Sequence, residues 1–159
     1  MKKIASFCVD HTRLQRGIFV SRIDAVGERE VTTFDIRMKE PNRERVLDGA
    51  VAHTIEHLGA TLLRNHPLWA DKVVYFGPMG CLTGFYMLLS GRYESTDVAD
   101  LVREVFEAIS EWTDSVPGAT PHDCGNWAYQ DLAGAKLEAK KFVDEILTSL
   151  GDANLNYPE

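Results

Sequence analysis

Apolar residues recur along this chain with two different periods. The runs Ile18-Phe19-Val20-Ser21-Arg22-Ile23 and Val31-Thr32-Thr33-Phe34-Asp35-Ile36-Arg37-Met38 are rich in β-branched and aromatic residues, and Gly27-Glu28-Arg29-Glu30 separates them. That pattern predicts an antiparallel hairpin between Gly17 and Met38. Pro41-Asn42 ends the second strand, after which Val46, Ala50, Val51, Thr54, Ile55, Leu58, Leu62 and Leu63 repeat at helical spacing as far as Asn65-His66-Pro67. Two further β-rich runs follow, Lys72 to Phe76 and Thr83 to Ser90, joined by the turn Gly77-Pro78-Met79-Gly80-Cys81. Ser95 or Thr96 then caps a helix whose stripe is Val98, Leu101, Val102, Val105, Phe106, Ile109 and Trp112. Asp114 to Cys124 reads as loop, Trp127 to Leu150 as a last helix, and the polar stretch from Gly151 to Glu159 as a frayed tail.

Strands and helices alternate here without the regular crossovers of a doubly wound sheet. The fold class expected is therefore α+β, a largely antiparallel sheet with helices packed on it, in a single domain over residues 1–159. With 45% hydrophobic residues the chain has the means to build a core. Seventeen Lys and Arg against 24 Asp and Glu leave a net charge of -7, and the basic residues are scattered, which argues against a nucleic-acid partner. No run approaches the roughly 20 apolar residues of a membrane span, and the apolar run from Ile4 stops at Asp10-His11, too short for a signal segment. Cys8, Cys81 and Cys124 are odd in number and far apart, which fits free thiols in a reducing cytoplasm better than a disulfide framework.

Candidate chemistry concentrates in His53-Thr54-Ile55-Glu56-His57, inside the first predicted helix. Residues four apart share one helical face, so His53 and His57 aim two imidazoles at one point, with Glu56 beside them. Two neutral imidazoles invite a divalent metal, and an adjacent carboxylate is placed to move protons at whatever that metal binds. The motif His-x-x-Glu-His also occurs in inverted zinc peptidases, so it points to metal more sharply than to a reaction. A third ligand is to be sought among His11, His66, His122 and the cysteines. Cys124 stands out, because Cys124-Gly125-Asn126 lies in a loop just ahead of a helix and a thiolate beside two imidazoles suits zinc or ferrous iron. Cys81, flanked by Gly80 and Gly84 and expected to face the metal helix, is the candidate for a second acid/base.

Taken together, these blocks resemble the S-ribosylhomocysteine lyase (LuxS) family. The matching residues are Ser6-Phe7 with Val9-Asp10-His11-Thr12, Arg37 with Pro41-Asn42, His53 to Leu58, Pro78-Met79-Gly80-Cys81 with Thr83-Gly84-Phe85-Tyr86, and Cys124-Gly125-Asn126 followed by Asp131-Leu132 and Ala135-Lys136. They run through nearly the whole chain in the family's order. The resemblance implies that His53, His57 and Cys124 ligate one divalent metal per subunit, ferrous iron with zinc as a substitute. It implies that Glu56 and Cys81 transfer protons, that Ser6, His11 and Arg37 hold the ribosyl part of the substrate, and that the enzyme is a homodimer whose active sites draw on both subunits. The implied reaction migrates a carbonyl along the opened sugar and then expels homocysteine by β-elimination, leaving 4,5-dihydroxypentane-2,3-dione, the autoinducer-2 precursor.

The chain departs from the commoner family pattern at three positions. Tyr75 stands where an aspartate often contacts sugar hydroxyls, Leu82 where Arg often follows the turn cysteine, and Gln130 where a His often follows the Cys-Gly-Asn block. All three bear on contacts around the substrate and leave the metal ligands and both proton-transfer groups in place. Two rival readings are a small metallopeptidase, which would need a distant Glu as third ligand, and a non-catalytic metal-binding module in which Cys81 is mere turn chemistry.

Overall fold

A computed structural model describes residues 4 and 7–158. Four strands, β1 (Gly17–Val26), β2 (Arg29–Arg37), β3 (Val73–Pro78) and β4 (Gly84–Ser90), form one sheet in the order β1-β2-β4-β3, with every neighbouring pair antiparallel. The β1–β2 hairpin turns at Gly27, whose φ of 64° is the left-handed conformation that glycine adopts without strain. Three α-helices are found among the described residues: α1 (Gly49–Arg64), α2 (Ala99–Glu111) and α3 (Leu132–Phe142). The α+β class expected from the patterning is the one observed.

One face of the sheet carries the core. Phe34 and Ile36 of β2, Phe85, Met87 and Leu89 of β4, and Ile18 of β1 are buried in one cluster with Val51, Ile55 and Leu58 of α1, Val105 and Ile109 of α2, and Ala135, Ala139 and Phe142 of α3. Side chains alternate across a strand, so the residues between them, Thr33, Asp35 and Arg37 on β2 with Tyr86 on β4, belong to the opposite face. Register brings Asp35 opposite Phe19 on one side and Tyr86 on the other. The core side thus carries α1, and the outer side carries a buried polar pair.

Several boundaries differ from the sequence reading. Ser95 and Thr96 do not cap α2: they lie in a 3-10 turn closed by a Glu94–Asp97 capping box, and α2 starts after it at Ala99. The last helix ends as α3 at Phe142 and continues as a π turn to Leu147, short of Leu150. Helix α1 begins at Gly49 rather than near Val46, because Asp48 caps it by accepting from the Ala50 amide, while the Leu47 amide is spent on the Leu82 carbonyl. Helix α3 begins at Leu132 rather than Trp127, because Asp131 caps it through Gly134 and the preceding residues form loop. The segment after Gly151 is docked rather than frayed: Asn154 donates to the Arg16 carbonyl, and the Tyr157 ring stacks on Phe19 with centroids 4.9 Å apart. Polarity misled the reading there, since the segment's anchors are an amide side chain and a lone aromatic rather than an apolar stripe.

Candidate metal centre and a second cavity

Helix α1 delivers His53 and His57 from successive turns, with their Nε2 atoms 3.0 Å apart and the two rings edge to face at 82°. Each ring is steered from behind. The Nδ1 of His53 donates to the Tyr129 carbonyl and that of His57 to the Pro117 carbonyl, both at 2.7 Å. A carbonyl can only accept, so Nδ1 carries the proton in both rings and both Nε2 atoms present bare lone pairs. Two lone pairs pressed together at that separation repel unless a cation lies between them, and imidazoles so oriented by backbone carbonyls are the usual support of metal ligands.

The third donor comes from the other end of the chain. A turn in which the Asp123 and Cys124 amides both donate to the Thr120 carbonyl brings the Cys124 Sγ to 3.5 Å from the His53 Nε2. Asp123 braces the same turn by accepting from Thr120 and His122, whose hydrogen bonds, His122 first, hold its carboxyl below the ordinary aspartate range. One donor atom from each of His53, His57 and Cys124 lies within 4.8 Å of the others, the one such group found among the described residues. A tetrahedral or trigonal cation at about 2.0–2.3 Å from each donor fits that triangle, and the soft-plus-imidazole donor set suits zinc or ferrous iron.

Glu56 lines the same cavity, together with Phe76, Pro117, Gly118 and Gly125. Gly118, at φ 69°, lies under His57: a Cβ built on it would fall 3.3 Å from Nδ1, so the Pro117-Gly118 turn lets the carbonyl reach the ring. Gln130, one of the three departures, faces His53 Nδ1 at 3.3 Å and the Thr54 hydroxyl at 2.7 Å, which puts it behind the His53 ring.

Cys81, His11 and Arg37 lie elsewhere. They line a separate cavity of about 390 Å³ with Phe7, Asn42, Met79, Thr83 and Tyr86, and none of these residues borders the metal cavity. Within one chain, Cys81 therefore does not face the metal helix as expected. The turn that carries it closes with Leu82 donating to Met79, and Leu82 takes a positive φ of 55° although it is not glycine. Such local strain persists where surrounding structure holds it, here through Leu47 on the Leu82 carbonyl. His11 donates from Nδ1 to the Val9 carbonyl at 2.9 Å. Ser6 lies outside the described residues. Tyr75 is half-exposed on β3, where its hydroxyl covers the Cα of Gly77.

The sequence reading missed the groups that hold Arg37. Asp35 takes the guanidinium in a two-pronged grip, Nε to Oδ1 at 3.0 Å and Nη2 to Oδ2 at 2.5 Å, with both side chains almost wholly buried at 2% and 3% exposure. Burial opposes the charge on Arg37, but the Asp35 carboxylate outweighs it, and the net effect keeps the guanidinium more firmly protonated than usual. Nη1 donates to Thr83 and reaches to 3.9 Å from the Cys81 Sγ. Burial, then the nearby Asp35, pushes the Tyr86 hydroxyl up from its ordinary range. Asp35 and Arg37 two apart on one strand face were the available signal.

A family model described as S-ribosylhomocysteinase (LuxS) matches residues 4–152. S-ribosylhomocysteine lyases are similar to the chain along its length. That of Phocaeicola vulgatus is 56% identical over 158 residues, 99% of this chain and 98% of its own. Those of Porphyromonas gingivalis and Desulfotalea psychrophila are 55% and 52% identical over 159 and 158 residues, covering 100% and 99% of each chain.

Proposed function

Because the chain belongs to the S-ribosylhomocysteine lyase (LuxS) family, we propose that it cleaves S-ribosylhomocysteine to homocysteine and 4,5-dihydroxypentane-2,3-dione. The observation that carries this is the convergence of two bare Nε2 lone pairs and one sulfur on a single point beside a carboxylate. His53, His57 and Cys124 hold a divalent metal, ferrous iron in the cell and zinc as its substitute, which supplies Lewis acidity toward a sugar carbonyl oxygen. Glu56, on the same helix face, takes a proton from one sugar carbon and returns it to the next. Cys81 does the same from the opposite side of the sugar, each group being worth on the order of 10²–10⁴-fold in rate. Once the carbonyl stands where it acidifies the carbon next to the one bearing sulfur, loss of that proton expels homocysteine thiolate. The sum of the products is the substrate, so no oxidant or other co-reactant enters.

Ser6, His11 and Arg37 hold the ribosyl hydroxyls. The separation of the two cavities supports a homodimer: one contains a metal triad and Glu56 without Cys81, the other Cys81, His11 and Arg37 without a metal triad. A second copy that brings one cavity over the other completes both. Three unpaired thiols and no helix long and apolar enough to cross a membrane among the described residues support a cytoplasmic location. A peptidase reading is not favoured, since the third donor beside the two histidines is a thiol rather than a distant glutamate.

The test is thiol release from S-ribosylhomocysteine by anaerobically purified protein, with metal analysis of the same sample. Homocysteine release with about one metal per chain is expected. Cys124→Ala should lose the metal, whereas Cys81→Ala should keep metal and fold but release no homocysteine. Full metal content in the first variant, or turnover in the second, refutes the assigned roles.

A further inference from the structure

On the outer face of the sheet, the segment after Gly151 folds back across β1 and β2. Asn154 donates to the Arg16 carbonyl at 2.9 Å, Ser95 donates to the Leu155 carbonyl at 3.0 Å, and the Tyr157 ring lies nearly parallel to Phe19, the planes 11° apart. From that stack the Tyr157 hydroxyl donates to Asp35 Oδ2 at 2.9 Å. Oδ2 also receives Nη2 of Arg37, whose other nitrogen bonds Thr83 and lies beside the Cys81 sulfur. A continuous line of hydrogen bonds thus runs from Tyr157 to the guanidinium at the thiol, through two side chains that solvent scarcely touches.

We propose that Tyr157 is a positioning residue for the Cys81 half of the active site, its hydroxyl holding the Asp35 carboxylate in the plane that aims Arg37 at Cys81. An Arg–carboxylate fork transmits direction, because two parallel bonds fix the orientation of one plane against the other. Rotation of the carboxylate swings the guanidinium, and Nη1 is its arm toward the thiol. Tyr157 is suited to a permanent donor role, since burial first, and then Asp35, holds its hydroxyl proton far above the ordinary tyrosine range. The inference rests on the lyase reading only for its effect on turnover, since the geometry at Cys81 is measurable without substrate.

The variant is Tyr157→Phe in the metal-loaded protein, which keeps the stack on Phe19 and removes only the hydroxyl. Cys81 is alkylated with iodoacetate and, separately, with iodoacetamide, and followed in its own proteolytic peptide so that Cys8 and Cys124 do not interfere. The anionic reagent is drawn by a guanidinium at the thiol and the neutral one is not, while the thiolate fraction cancels in the ratio of rates. A fall of about fivefold in that ratio is expected in Tyr157→Phe, with a fall of similar order in kcat/KM for homocysteine release and a fall of a few degrees in Tm from the lost buried hydrogen bond. An unchanged ratio overturns the proposal. So does a ratio that falls in Tyr157→Leu, which also loses the stack, but not in Tyr157→Phe, because the segment would then be mere packing. If the wild-type protein releases no homocysteine yet the ratio falls in Tyr157→Phe, the lyase reading fails and the positioning role stands.

Discussion

Gly59→Ala sets two known effects against each other at the contact that seats α1 on the sheet. Glycine inside a helix is unfavourable relative to alanine by about 0.8–1 kcal/mol, so propensity alone favours the substitution. Packing opposes it. A Cβ at Gly59 would fall 2.5 Å from Cε1 of Phe76 and 3.0 and 3.1 Å from two more atoms of the same ring. That ring is restrained on one face: it is 5% exposed and lies face to face with Phe85, centroids 5.1 Å apart and planes within 4°, so it can yield only toward the cavity it borders with Glu56. Forcing an extra carbon into such a site costs about 1–3 kcal/mol, and a 2.5 Å approach to a ring stacked on a second buried ring puts this case in the upper half. The net expectation is a loss of about 1–2 kcal/mol, read as a fall of about 2–8 °C in Tm for a chain of this size. Urea unfolding at fixed protein and metal concentration measures it, since a bound metal or partner shifts apparent stability. In a Phe76→Leu background the obstacle shrinks, and Gly59→Ala should become neutral or stabilising. Stabilisation by Gly59→Ala in the wild-type background would show that the helix does not rest on Phe76 as described.

Three further outcomes follow from the same geometry. Thr54→Val removes a buried hydroxyl that donates to the Ala50 carbonyl and accepts from the Asp131 amide. It should cost about 1–3 kcal/mol and, by loosening the Tyr129 carbonyl behind His53, weaken zinc retention against a competing chelator by about tenfold or more. Glu56→Gln should lower turnover by on the order of 10²–10⁴-fold while leaving the unfolding midpoint in place, and a collapse of folding instead would mark Glu56 as structural. Tyr157 titrates higher folded than unfolded, so its contribution is complete below the ordinary tyrosine value of about 10 and declines as pH rises above it. Wild type should therefore lose more stability than Tyr157→Phe between about pH 10 and 11.5, and equal losses in urea titrations would contradict the buried hydroxyl.

Periodicity alone located α1 and its His-x-x-Glu-His face, both hairpins and the stripe of α2, because those elements are amphipathic and the period of burial is written into the order of residues. Spacing on one helix likewise foretold that His53 and His57 converge. What spacing could not say is that the Pro117 and Tyr129 carbonyls hold the two rings with their lone pairs inward, since those groups lie some 60 and 76 residues away and backbone carbonyls leave no mark in a sequence. Cys124 was nominated by its residue type, but the approach of its sulfur to His53 is a matter of how a distant turn folds against α1. Two features ran against local reading. The polar segment after Gly151 looked unattached, yet docks through Asn154 and Tyr157, and Cys81 lies in a cavity apart from the metal helix. The chain's order thus determined which side chains are candidates for chemistry and which local elements bear them, because both depend on neighbours within a few turns. Only the tertiary structure decided which of those side chains meet, because contacts between residues far apart in sequence arise from packing the whole core at once.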